Sequence, residues 1–145
     1  MKRKWLAIGI ILVFMGTCII PAIAQNTEKQ SSSMGNWLYV GGSGPGNYTR
    51  IQDAIDNASD GDTVYVFDES SPYNESIIIT RKIQLTGENR TTTILQPCNA
   101  SSNTTTICAD SVTIQNLWIK NSGKFSDTFC IIERMYNNSR ILNNV

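Results

Sequence analysis

The clearest pattern in the chain is an alternation of apolar and polar residues over positions 111–123. Weaker stretches of the same kind lie at 83–95 and 137–145, and Asn or Gly residues interrupt all three. Equivalent apolar positions are 29 residues apart from the first stretch to the second and 27 from the second to the third. Short strands that recur at such intervals between Asn and Gly corners predict a coil of parallel strands, each turn stacked on the last.

The alternation also predicts which side chains fill the interior of the coil. The expected inward positions are Ile83, Leu85, Ile94, Val112, Ile114, Ile119 and Ile141. Trp118 stands between two apolar residues of its strand and is therefore expected to face outward.

A single amphipathic helix is predicted ahead of the recurrent strands. Thr49 and Gln52 have the spacing of a capping box, with Thr49 as N-cap, and Ile51, Ile55 and Ala58 then fall on one face of about ten helical residues. The first turn of a stacked coil exposes bare core and unpaired strand edges. We therefore expect this helix to cover that end.

The N-terminus has the pattern of an export signal. A basic n-region at 2–4 precedes the apolar run from Trp5 to Ile20, and Ala22-Ile23-Ala24 is an A-x-A cleavage site. Cleavage makes Gln25 the mature N-terminus. An uncleaved membrane anchor is the alternative, although the run is shorter than the ~20 residues that span a bilayer.

Three segments follow from these patterns. They are a signal peptide at 1–24, a polar linker at 25–36, and the helix cap with the coil at 37–145. The coil stops in mid-turn at Val145, so we interpret the chain as truncated at its C-terminal end. Its open edge is expected to favour self-association.

Composition narrows the possible partners and chemistry. Removal of the signal leaves nine basic and twelve acidic residues, a formal net charge of −3, which argues against nucleic acid and anionic membranes as partners. The sequence contains no histidine, so Ser-His-Asp and Cys-His catalysis and imidazole metal sites fall outside its chemistry.

Several segments resemble one known family. LYVGGSGPGNYTRIQDAIDNASDGDTVYV resembles the N-terminal segment of right-handed parallel β-helix proteins of the pectin-lyase-like superfold, and IQDAIDNASDGDTVYV resembles the cap and first strand of NosD-type surface proteins. VTIQNLWIKNSG and NSRILNN resemble rungs of that repeat. Gly61 and Asp62 match the turn into the first strand, and Gly87, Asn116 and Asn143 match corners.

The resemblance covers nearly everything from Trp37 to Val145 and implies the fold class. That class is all-β, a right-handed parallel β-helix of about three to four turns with an N-terminal capping α-helix. The superfold includes lyases, hydrolases, adhesins and passive envelope proteins, so the resemblance alone leaves the function open.

No catalytic, cofactor-binding or metal-binding constellation is predicted. Glycoside hydrolysis needs two positioned carboxylates, and no carboxylate pair recurs at the same place on successive turns. NosD-type proteins are associated with copper delivery, but a chain without imidazole and without closely spaced Met or Cys residues is not expected to bind copper.

Three kinds of side chain remain as site candidates. Trp118 is a possible carbohydrate contact, because an exposed aromatic ring on a flat sheet can stack on a sugar, with a partly covered surface residue as the alternative. Cys108 and Cys130 are separated by about one turn and are either a disulfide pair or two buried thiols. Seven N-x-S/T sequons are candidate N-glycosylation sites at Asn47, Asn57, Asn74, Asn89, Asn99, Asn103 and Asn137.

Two functions are consistent with these patterns. The first is a non-catalytic exported protein, secreted or at the cell surface, with a scaffold, adhesion or carbohydrate-contact role. Its partners would be cell-envelope polysaccharide or other surface proteins. The second is the N-terminal fragment of a polysaccharide lyase or glycoside hydrolase of the pectin-lyase-like fold.

Overall fold

Parallel pairing connects every strand of the computed structural model, which describes residues 35–99, 102–121, 130–133 and 137–145. The one helix of this part of the chain is α1 (Ile51–Asn57). The strands are β1 (Trp37–Val40), β2 (Thr63–Val66), β3 (Tyr73–Asn74), β4 (Ile77–Ile79), β5 (Gln84–Gly87), β6 (Ile94–Gln96), β7 (Thr105–Ile107), β8 (Thr113–Gln115), β9 (Trp118–Ile119), β10 (Ile131–Glu133) and β11 (Arg140–Leu142).

The strands form three sheets, which the chain visits in rotation. Sheet 1 has the order β1-β2-β5-β8-β11, sheet 2 has β3-β6-β9, and sheet 3 has β4-β7-β10. From β2 onward each circuit adds one strand to each sheet. In sheet 1 the register partners Thr63, Gln84, Thr113 and Arg140 are 21, 29 and 27 residues apart. The result is a parallel β-solenoid of about four turns, which confirms the predicted architecture.

Inward side chains from successive turns stack in aliphatic rows. The longest row in sheet 1 comprises Leu38, Val64, Leu85, Ile114 and Ile141. Leu85 and Ile114 are fully buried, whereas Ile141 is 48% exposed. The predicted interior positions of Ile83, Leu85, Val112, Ile114 and Ile119 are confirmed by their burial.

The prediction for Ile94 is wrong by one residue. Leu95 is the fully buried residue of β6, in register with the buried Tyr73 and Ile119, while Ile94 is half-buried and pairs with Trp118. Two adjacent apolar residues fit the alternation in either phase. A shift of one position exchanges the inner and outer faces of a strand.

The cap begins differently from the predicted capping box. Helix α1 has Arg50 as its N-cap residue, with no side-chain cap hydrogen bond, and it is only seven residues long. The N–H groups of Ile51 and Gln52 instead donate to the two carboxylate oxygens of Glu75, at 2.8 and 3.1 Å. A buried carboxylate from the strand connection therefore binds the positive end of the helix. Ile51 and Ile55 are fully buried, as expected of a lid.

Corner residues adopt the conformations that tight turns require. Gly61, at the turn into β2, has a φ of 94°, and Asn116 and Asn143 have φ values of 57° and 51°. The Asn143 side-chain amide donates to Asn116 Oδ1 at 2.6 Å, so the predicted asparagine ladder is present. Gly87 lies above Asn116, whose carbonyl oxygen would be only 2.2 Å from a Cβ at that position. These residues are structural.

Candidate functional site

Four aromatic side chains lie together on the outer face of sheet 1, and we call them the aromatic cluster. Trp37 and Tyr39 lie on β1, Tyr65 on β2, and Phe67 directly after β2. Neighbouring ring centroids are 5.2–6.2 Å apart. Trp37 is 53% exposed and Tyr39 is 42% exposed. The cluster is the main exposed aromatic surface of the described residues.

Alternation along two neighbouring strands produces this cluster. The inward positions of β1 and β2 are aliphatic, so every second residue is directed outward, and the parallel register pairs Tyr39 with Tyr65. Gly42 leaves room for the Phe67 ring, because a Cβ at that glycine would lie 3.0 Å from the ring. The planes of Tyr39 and Phe67 are 26° apart, and those of Trp37 and Tyr39 are 32° apart.

The outer face of sheet 1 becomes polar but stays uncharged beyond β2. Gln84 is exposed, Thr113 and Gln115 are half-buried, and Gln115 Nε2 donates to Thr86 Oγ1 at 3.2 Å. We call these four residues the amide strip. Strands β1, β2, β5 and β8 carry no charged residue, and the first charge on sheet 1 is Arg140 on β11.

Carboxylates lie at the corner where sheet 1 ends. Glu88 Oε2 accepts a hydrogen bond from the Asp68 backbone N–H at 3.0 Å, and Asp68 Oδ2 accepts one from the Thr92 hydroxyl at 2.5 Å. Burial and these two carboxylates raise the pKa of the nearby Tyr65 hydroxyl. The phenol therefore stays protonated near neutral pH and is available as a hydrogen-bond donor.

Trp118, the predicted carbohydrate contact, is on sheet 2 and outside the aromatic cluster. It is half-buried between the buried residues Leu117 and Ile119, so its outward direction is confirmed. The Lys120 ammonium nitrogen lies 4.0 Å from the centroid of its ring. A cation–π contact of this kind occupies one ring face that a sugar would need.

The cysteine pair does not have disulfide geometry. Register places Cys130 beside Thr104, because Ile131 pairs with Thr105. Cys108 lies four residues farther along, about 13 Å at the rise of a strand, beyond the ~7 Å Cα limit of a disulfide. Both thiols are free and half-buried, and burial raises the pKa of Cys130. One turn of chain separation did not give lateral pairing, because the corners consume different numbers of residues.

The sequon asparagines are distributed around the coil. Five are exposed, namely Asn57, Asn74, Asn89, Asn99 and Asn137, while Asn47 and Asn103 are half-buried. Asn57 ends helix α1 and Asn74 ends β3, so these two lie within regular elements and not in the predicted loops. The Asn47 amide nitrogen donates to the Gly41 carbonyl at 2.6 Å. Glycosylation at these sites stays a prediction.

The analysis of patterns did not identify the aromatic cluster, although the W-x-Y and Y-x-F spacings were its signal. A glycine-rich loop and α1 separate β1 from β2 along the chain, so the pairing of these strands was not apparent from their sequence. Among the residues that the structure describes, no group of three or more His, Cys, Asp or Glu side chains could hold a metal ion.

No protein-family model, curated protein or solved structure matches the chain. Within the described ranges, no helix has both the length and the apolar character that a membrane crossing requires. The function is therefore argued from the fold, the aromatic cluster and the amide strip.

Proposed function

We propose that this chain is a non-catalytic exported β-helix protein, secreted or held at the cell surface, that contacts carbohydrate through the aromatic cluster. The assignment to NosD-type proteins of the pectin-lyase-like superfold, with a right-handed coil, belongs to the same proposal. Export is supported by the signal pattern at 1–24, and cell-envelope polysaccharide is the proposed partner.

The observation that carries the proposal is the exposure of Trp37 and Tyr39 within a group of four rings on a flat sheet. Isolated exposed apolar residues are common, but a contiguous aromatic surface marks a binding site. Aromatic rings present a broad apolar face to the C–H groups of a sugar, and the tyrosine hydroxyls add hydrogen bonds at the edge. Compared with Trp118, these rings form a wider surface.

Affinity electrophoresis of the purified chain in gels that contain soluble polysaccharides tests this proposal. The panel includes hydroxyethylcellulose, galactomannan, arabinoxylan, pectate and alginate. We expect retardation by at least one of them. The Trp37→Ala/Tyr39→Ala double variant should weaken that binding by about tenfold or more, because each buried aromatic contact contributes of order 1 kcal/mol.

Trp118→Ala is the matched control, since it removes an aromatic ring from a different sheet. It should leave retardation unchanged. If Trp118→Ala abolishes binding and the double variant does not, the contact lies on sheet 2. If no polysaccharide retards the chain while its melting curve is cooperative, the carbohydrate proposal is wrong.

A further inference from the structure

We propose that the ligand of this face is a neutral oligosaccharide whose chain runs across the strands, from the aromatic cluster over the amide strip. This inference rests on the proposed carbohydrate function and adds to it the charge, the length and the direction of the ligand. A protein partner and an acidic polysaccharide are the competing occupants.

The distribution of charge favours a neutral ligand. The outer side chains from β1 to β8 are aromatic rings, hydroxyls and amides, so no cation of these four strands faces an anionic sugar. Asp68 and Glu88 border the aromatic cluster at the corner. An anionic glycan there would meet like charge without a compensating partner on the same strands, and such juxtapositions cost several kcal/mol.

The continuity of the face favours an extended ligand. Register aligns Tyr39, Tyr65, Thr86 and Gln115 in one row across four neighbouring strands. Strands of a sheet are about 4.8 Å apart, so this row extends roughly 14 Å, more than one sugar ring can cover. A chain that starts on the rings would reach the amide strip as its next contact.

The amide strip supplies the polar half of the site. The hydrogen bond from Gln115 Nε2 to Thr86 Oγ1 fixes the amide and leaves Gln115 Oε1 as an acceptor. Gln84 and Thr113 add exposed or half-buried donors and acceptors on the same face. Hydroxyl and amide groups of this kind match the many hydroxyls of a neutral sugar chain, and their pre-orientation lowers the entropic cost of binding.

Titration calorimetry with defined oligosaccharides tests the charge and the length. The probes are cellohexaose, mannohexaose and xylohexaose, their trisaccharides and monosaccharides, and hexagalacturonate. We expect at least one neutral hexamer to bind about tenfold more tightly than its monosaccharide and about tenfold more tightly than hexagalacturonate. Equal affinity for hexagalacturonate, or equal affinity for monomer and hexamer, would overturn the inference.

Two glutamine variants test the direction. Gln115→Ala should weaken the hexamer by about threefold to tenfold and leave the trisaccharide unchanged, because one hydrogen bond at the far end is lost. Gln96→Ala, which removes an amide from sheet 2, is the matched control and should change neither. An unaltered hexamer affinity in Gln115→Ala would show that the chain does not cross the amide strip.

The two levels of the argument fail in different ways. Binding of hexagalacturonate alone, lost in the Trp37→Ala/Tyr39→Ala variant, would retain the carbohydrate function and overturn the neutral ligand. If neither neutral nor acidic saccharides bind, both the proposed function and the inference are wrong, and a protein occupant of the aromatic cluster becomes the alternative.

Discussion

The two ends of the coil treat their strand edges in opposite ways. At the N-terminal end the Gln52 amide pairs with Ile78 like an added strand, accepting from its N–H at 2.8 Å and donating to its carbonyl at 3.2 Å. Tyr48 likewise pairs with the outer edge of β1. At the other end of the described chain, Ile141 is 48% exposed and Val145 is 53% exposed. Individual polar side chains thus close the N-terminal end, while the aliphatic row simply reaches the surface at the C-terminal end.

The largest predicted difference compares Ile114 with Ile141, which are register partners in one row. Ile114→Ala should lower the free energy of unfolding by about 2–5 kcal/mol, because it opens a cavity in the packed core. Ile141→Ala should lower it by only about 1 kcal/mol, since half of that side chain is already in water. Urea denaturation of both variants measures the difference. Equal losses would contradict the open C-terminal end.

The second prediction concerns Glu75, which is 4% exposed and binds both first N–H groups of α1. Glu75→Ala should destabilise the chain by about 2–3 kcal/mol, because two charge-assisted hydrogen bonds are lost and their donors stay buried. Glu75→Gln keeps one acceptor and should cost less. Glu69→Ala, at an exposed site, is the control and should stay within about 0.5 kcal/mol of the parent. Equal melting temperatures for all three variants would show that the helix does not depend on this carboxylate.

Residues whose role repeats from turn to turn were predictable from the sequence. Val112 and Ile114, the corner glycine Gly87 and the Asn116–Asn143 ladder all belong to a pattern that recurs, so each turn supports the next inference. The helix lid was also predictable from the spacing of Ile51 and Ile55. Ile94 was not, because an Ile-Leu pair fits both phases of the alternation.

Contacts between segments that are distant along the chain were not predictable in the same way. Glu75 binds a helix 23 and 24 residues earlier, and nothing near it in sequence marks it as a cap. The aromatic cluster depends on β1 joining β2 across the whole of α1. The Cys108–Cys130 disulfide was inferred from separation along the chain, which gives the number of turns but not the position within a turn.

The third prediction tests the amide of Gln52 as an edge cap. Gln52→Ala should lower the free energy of unfolding by about 1 kcal/mol, since both polar backbone groups of Ile78 then depend on solvent. It should also accelerate hydrogen exchange at the Ile78 amide well beyond the global effect. Gln84→Ala removes an exposed glutamine from a strand and is the control. If exchange at Ile78 is unchanged in Gln52→Ala, solvent or another group satisfies that edge.

The smallest predicted effect is association through the C-terminal end. We propose that the edge of β11, with the exposed side chains of Ile141, Leu142 and Val145, pairs with the same edge of a second copy, because an unprotected strand is a template for another chain. The caps at the other end block head-to-tail stacking, so the contact should be two-fold symmetric. A surface this small should give a dissociation constant weaker than roughly 1 μM. Light scattering over a concentration series should show a rising mass for the chain from Gln25, and Leu142→Lys should suppress it by placing charge on the edge. Ile78→Lys, at an equally exposed apolar residue on sheet 3, should not. A chain that stays monomeric at every concentration would mean that its last turn protects its own edge, and that the two ends differ less than their exposed side chains indicate.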